Sequence, residues 1–238
     1  MRGGVGSSLL IRAQNMIVVH HLNNSRSQRV LWLLEELGVP YEVRRYQRNA
    51  QTMLAPPELL AVHPLGKSPV ISDGDLTLAE SGAIVEYLAE RYGEGRLTPP
   101  AGTPERLRYT YWMHHAEGSA MPPLLLKLIF SRIPKGPMPF FVRPVAKAIS
   151  GRALSTFIEP QIKRHLDFME QELGKSTWFA GAEFSAADIQ MSFPLEAATA
   201  RGGLDAGRPK LMAFLQRIHA RPAYQRALEK GGPYELMS

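Results

Sequence analysis

Three short stretches hold side chains able to bind or activate a small ligand. In "NNSRSQRV", Asn24, Ser25 and Arg26 stand just before an amphipathic run. Hydroxyl and amide donors at the positive end of a helix can stabilise an anion there. The spacing Ser25-x-x-Gln28 fits a capping box equally well, which is a structural use of the same hydroxyl. In "GKSPV", Lys67 and Ser68 precede Pro69. An X-Pro bond tolerates cis at about 0.5–1 kcal/mol, although a trans proline can also simply open a strand. In "AESG", Ser81 is a candidate N-cap beside Glu80. A ligand carboxylate fits the free amides of such a helix start, and Glu80 suits a neighbouring ammonium. An ordinary cap accounts for Ser81 as well.

Composition removes several chemistries. The chain of 238 residues has no cysteine, so no disulfide, Cys-ligated metal or protein thiol can take part. Its seven histidines include the adjacent pairs His20-His21 and His114-His115. Neighbouring side chains point apart on a helix or strand and make poor chelates, so no metal site is expected. No apolar run approaches the roughly 20 residues of a membrane span, and "MRGGVGSSLLIRAQN" is too weakly apolar for a secretory signal. Residues 1–15 read as an irregular extension and the compartment as the cytoplasm, with no membrane partner. The net charge of +6 is uneven: residues 16–95 carry seven Lys/Arg against ten Asp/Glu, whereas 127–164 carry eight against one. Prolines interrupt the aromatics among those bases, and no nucleic-acid motif forms, so no nucleic-acid partner is expected. A solvated face is the first reading of the basic stretch and attraction of acidic substrates the second.

The elements that must carry these side chains alternate in the first third. "MIVVHHL" (16–22) is a β-branched run. "SQRVLWLLEELG" (27–38) has helical spacing and stops at Gly38. "YEVRRY" (41–46) alternates like a strand, and "APPELLAVH" (55–63) suits a short helix. "PVIS", "DG" and "DLTL" form a hairpin signal, and "SGAIVEYLAERYG" (81–93) a closing helix. The order β-α-β-α-β-β-α predicts a parallel crossover, then an antiparallel hairpin, with two helices on one face. Residues 96–104 suit a linker. From 105 to 238 no strand is expected; helical periodicity runs over 105–130, 157–174, 185–203 and 209–231. Pro123, Pro160, Pro194 and Pro222 should kink helices or start new ones.

Taken together, "HHLNNSRSQRVLWLLEELGVPYE", "HPLGKSPVISDGDLTLAESGAIVEYL", the proline-containing linker and "FAGAEFSAADIQMSFPL" resemble the cytosolic glutathione transferases, in a bacterial and fungal subgroup. The resemblance covers the chain from Met16 onward. It implies a thioredoxin-like domain over 16–95, an all-helical domain over 105–238 and a homodimer. It further implies glutathione as co-substrate: the cysteinyl backbone on Ser68 ahead of a cis Pro69, the γ-glutamyl end on Glu80 and Ser81, and the glycine end near Lys67. Ser25 matches the sulfur-binding serine of several classes, with Asn24 and Arg26 as alternatives. Tyr111, His114, Glu117 and Met121 fall at helical spacing where the family places a pocket for a small hydrophobic electrophile, Tyr111 and His114 being candidates to polarise it; packing is an equal use for them. The 133–144 loop could cover that pocket. Ser185, Asp188 and Phe184 read as a folding motif, Phe184 stapling onto Ile189. The implied reaction is conjugation of glutathione, with detoxification as the role. Peroxide reduction, disulfide reduction without a protein cysteine, and a non-enzymatic scaffold are the alternatives.

Overall fold

The structure is a computed structural model and describes residues 16–52, 54–234 and 236. The expected extension over 1–15 lies outside the described residues. The β-branched run forms β1 (Ile17–Leu22), paired in parallel with β2 (Tyr41–Tyr46) through α1 (Ser27–Leu37). After α2 (Glu58–Val62), β3 (Val70–Asp73) returns antiparallel to β1, and β4 (Leu76–Ala79) pairs antiparallel with β3. The parallel crossover and the antiparallel hairpin are as expected from the sequence, and the structure adds the sheet order β2-β1-β3-β4. Gly38 ends α1 with φ of 70°, a left-handed conformation that costs glycine little.

The period-two pattern of β1 sorts its side chains between two cores. Ile17 and Val19 face the main core with α1 and with α3 (Ser81–Tyr92), while Leu22 meets Tyr46 and Leu59 of α2 in a second cluster. Helix α1 is buried nearly all round, from Ser27 to Leu34. A helix apolar on most sides must lie between layers, and α1 lies between the sheet and the helical half. There Trp32 packs against Phe184 and Tyr224.

Residues 93–103 hold no helix or strand, and the rest is helical. Helices α4 (Pro104–His115) and α5 (Met121–Arg132) are one rod joined by a π-turn over 116–120; α6 (Arg143–Ala153) and α7 (Glu159–Lys175) are another, joined over 154–158. Each π-turn sits just before a proline, Pro122 or Pro160. Proline cannot donate to the carbonyl four residues back, and a wider turn lets the rod continue. Helix α8 (Ala186–Arg201) is buried from Ala186 to Ala198, and α9 (Pro209–His219) and α10 (Pro222–Gly231) close the fold.

Three local expectations are corrected. Helix α1 begins at Ser27 with Arg26 at its N-cap, and no Ser25–Gln28 capping box forms: Ser25 Oγ accepts the Ser27 N–H at 3.2 Å, and both polar atoms of the Gln28 side chain are buried without a partner among the described residues. Ser81 is the first helical residue, and the N-cap of α3 is Glu80, at φ 72°. Helix α6 carries no inward apolar stripe, since Val145 and Ile149 are exposed, so periodicity gave no sign of it. The run 209–231 divides into two helices, the second starting at Pro222 as expected of that residue.

Candidate functional site

The ends of β1 and β3 and the starts of α1 and α3 come together at one end of the sheet. The Ser68–Pro69 peptide is cis and leads directly into β3. The Ser68 hydroxyl donates to the His20 carbonyl at 2.8 Å and accepts the Leu22 N–H at 3.2 Å, tying the start of β3 to β1. Lys67 beside it is exposed. Ser25 Oγ stands 3.5 Å from Ser68 Oγ, so two of the candidate residues, 43 positions apart, are neighbours.

Ser25 is buried and its hydroxyl is part of a chain. It lies 2.7 Å from Ser27 Oγ, which lies 2.9 Å from Nδ1 of the buried His21. The His21 ring also bonds the Gly231 backbone, an interaction that favours protonation as a carbonyl acceptor does. In the tautomer that gives its N–H to Gly231, His21 Nδ1 accepts from Ser27, and Ser27 in turn accepts from Ser25. The Ser68 proton is already turned to His20, so either neighbour of Ser25 draws its hydrogen inward. Burial, with the Arg45 charge second, lowers the His21 pKa to about 4, so this ring is neutral near pH 7. Asn24, half-buried at φ 50°, lines a cavity instead.

The helix start at Ser81 is held from below by Arg29. Its guanidinium, 1% exposed, donates to Ser81 Oγ at 2.9 Å, to the Gln190 carbonyl at 2.7 Å and to Glu117 Oε1 at 2.5 Å. Arg26 Nε donates to both Glu117 oxygens, at 2.8 and 2.9 Å. Burial pushes the Glu117 carboxyl up, but Arg29 and Arg26 outweigh it and hold it below the usual range. Phe193 of α8 lies under both guanidinium groups, 4.9 Å from Arg26 and 5.3 Å from Arg29. Charge pairing therefore spans α1, the π-turn and α3.

Beside this network is a cavity of about 580 Å³. Asn24 and Arg26 form its sheet side; Met121, Leu125 and Leu128 of α5, with Phe193 and Leu236, supply apolar walls. Arg48, Arg132 and Arg201 complete the charged part. Of the four residues expected on the helical side, Met121 lines the cavity and Glu117 pairs with its arginines. Tyr111 and His114 are exposed and are not among its lining residues; Tyr111 stacks on His115 and packs edge-on against Trp112 and Phe168. Another cavity, of about 300 Å³, lies between residues 95–105 and 180–185, away from these groups.

Asp188 stays outside the site. Its carboxylate takes the N–H and O–H of Ser185 and the N–H of Phe179, at 2.9, 3.1 and 2.9 Å, while Phe184 packs on Trp32 and Trp178. Among the described residues no group of three or more His, Asp or Glu side chains could hold a metal, and no helix is long and apolar enough to cross a membrane. Sequence reasoning missed Arg29, His21, Ser27, Arg132 and Arg201. The lone charge of Arg29 inside the apolar run "SQRVLWLL" was the one available signal; a buried arginine needs acceptors, and Ser81 and Glu117 provide them.

Comparison with known proteins gives the family of this fold. Residues 14–90 match the family described as "Glutathione S-transferase, N-terminal domain", and residues 143–222 match "Glutathione S-transferase, C-terminal domain". Glutathione S-transferase 3 of Schizosaccharomyces pombe is 35% identical over 215 residues, covering 90% of this chain and 88% of that protein. The crystal structure of a glutathione S-transferase from Actinobacillus pleuropneumoniae superposes with a TM-score of 0.73 at 35% identity, over 93% of this chain and 95% of that one. A sphingomonad glutathione S-transferase complexed with glutathione superposes at 0.68 and 25% identity, over 90% of this chain and 98% of that one.

Proposed function

The chain belongs to the glutathione S-transferase family, and we propose that it joins glutathione to a small hydrophobic electrophile. The observation that carries this reading is the meeting, at one sheet end, of Ser68, the Ser81 helix start and the Asn24–Arg26 turn beside an apolar-walled cavity. These residues fit the tripeptide. The first turn of α3 offers amides and the Ser81 hydroxyl to the γ-glutamyl carboxylate, and exposed Glu80 suits its ammonium. The Ser68 backbone ahead of Pro69 can pair with the cysteinyl unit as an added strand. Lys67 reaches toward the glycine end.

The sulfur then falls near the start of α1. A free thiol with pKa near 8.5 is only a few per cent ionised at pH 7, and each unit of depression, about 1.4 kcal/mol, raises the thiolate tenfold. Asn24 is the donor we assign to it, because in the His21 tautomer that donates to Gly231 the Ser25 hydroxyl gives its one hydrogen to Ser27. Holding thiolate and electrophile side by side supplies the rest of the acceleration by proximity. We further propose that the protein acts in the cytoplasm, as a homodimer, in the detoxification of electrophiles. Light scattering tests the dimer.

Turnover with an aryl halide, an organic hydroperoxide and a mixed disulfide, each with and without glutathione, tests the reaction. Glutathione-dependent conjugation and a raised Tm are expected. A protein whose Tm and activity ignore glutathione defeats the proposal.

A further inference from the structure

We propose that the preferred electrophile carries a carboxylate, which Arg132 and Arg201 receive in the cavity of about 580 Å³ while the apolar body lies against Met121, Leu125 and Phe193. This rests on the transferase reading and names its substrate class.

Four arginines line one cavity, and no acidic side chain lines it with them among the described residues. Their commitments differ. Arg26 is held by Glu117 at 2.8 Å, and Arg48 Nε donates to the Asn23 carbonyl at 3.3 Å. Arg132, at the exposed rim, and the half-buried Arg201 make no ion pair with any described residue, and Arg201 Nε is buried with no hydrogen-bond partner among them. Burial lowers the Arg201 pKa first, and the charges of Arg132 and Arg26 lower it further, so these groups sense one another across the cavity. Gathering like charges in a partly desolvated space is unfavourable unless an anion arrives.

A purely apolar electrophile would cover these guanidinium groups and give nothing in return, at a desolvation cost. A carboxylate matches the guanidinium fork and can accept two hydrogen bonds from it. Leu128 and Leu125, one and two turns before Arg132 on the same face of α5, suit an aromatic or aliphatic body. The cavity thus fits an amphipathic anion better than a neutral molecule of the same size.

The test compares a chloronitrobenzoate with its neutral methyl ester, each enzymatic kcat/KM divided by the uncatalysed rate with glutathione. The carboxylate is expected to be preferred at least tenfold, the preference shrinking as salt rises. In the Arg132→Gln/Arg201→Gln double variant, with folding verified by circular dichroism, that ratio should fall about tenfold. Equal normalised rates in the parent protein would overturn the proposal. So would a double variant that raises the KM for glutathione and leaves the ratio unchanged, since the arginines would then serve the tripeptide. Calorimetry with unreactive nitrobenzoate reads the same site without turnover. Binding that weakens in the double variant supports the proposal even if conjugation fails, and no binding by the parent protein defeats it even if conjugation succeeds.

Discussion

Arg29 Nη2 lies 2.9 Å from Ser81 Oγ, joining two residues 52 positions apart at the base of the candidate glutathione site. The same nitrogen reaches Glu117 of the helical half. The start of α3 is therefore positioned by a buried charge from α1 whose counter-ion comes from the other half of the molecule, and the site depends on how the two halves pack.

Removing that charge should cost both stability and binding. Arg29→Leu leaves Ser81 and the Gln190 carbonyl without their donor, at about 1–3 kcal/mol for a buried group left unpaired, while Glu117 keeps Arg26. Arg29→Lys should recover only part, because one ammonium cannot reproduce a fork reaching three acceptors. Urea unfolding and glutathione calorimetry measure the two losses. Parent-like stability and affinity in Arg29→Leu would refute the role.

Asn24 and Ser25 should separate kinetically. Asn24→Ala is expected to raise the pKa of the bound thiol by about one unit or more, cutting the thiolate-to-thiol ratio about tenfold and kcat/KM severalfold near neutral pH. Ser25→Ala should do less, since its hydrogen serves the turn. The pH profile of kcat/KM and thiolate absorbance read the shift. The reverse order of effects would return the sulfur to Ser25.

Acid should destabilise the protein through two buried imidazoles. His21 and His115 are both pushed down to about 4 from 6.5, chiefly by burial, and His115 Nε2 has no partner among the described residues. The unfolded chain takes up these protons first, so the stabilisation is complete above pH 6.5 and is lost as pH falls toward 4, by up to about 3 kcal/mol for each ring. Asp188, raised to about 6 by burial, acts in the opposite sense over part of that window. The comparison is therefore between parent and His115→Leu: the variant should lose less stability between pH 7.5 and pH 5 in urea titrations. Identical losses would exclude His115 as a source.

Asp188→Ala should harm the fold and spare the binding constants. It strips an acceptor from two backbone amides and one hydroxyl, each buried group costing about 1–3 kcal/mol when left unpaired. A marked fall in Tm with an unchanged KM for glutathione is expected. A change in KM without a loss of stability would move Asp188 into the site.

Much of this was legible in the chain itself. The alternation of β-branched runs with 3.6-period runs, the "DG" turn and the stop at Gly38 are local signals, set by backbone sterics and side-chain period, and the sheet and helices followed them closely. Pro69 was visible for the same reason, since its backbone preference travels with the residue type, whereas Glu80 at φ 72° departs from its type and the Glu80-Ser81 pair stood out through the family resemblance. Helix α6 was not visible, because a helix with Val145 and Ile149 turned outward leaves no inward stripe to read.

What tertiary structure alone decided was partnership. Whether Ser25 offers its hydrogen to a ligand depends on Ser27, His21 and Ser68. Whether the cavity takes Tyr111 and His114 of α4 or Met121 of α5 depends on how the rod is rotated past its π-turn. The convergence of Arg26, Arg48, Arg132 and Arg201 joins residues up to 175 positions apart. Residue type and short-range spacing determine conformation because those energies are local; hydrogen-bond commitment and charge neighbourhood are sums over everything packed nearby, and only the folded chain performs that sum.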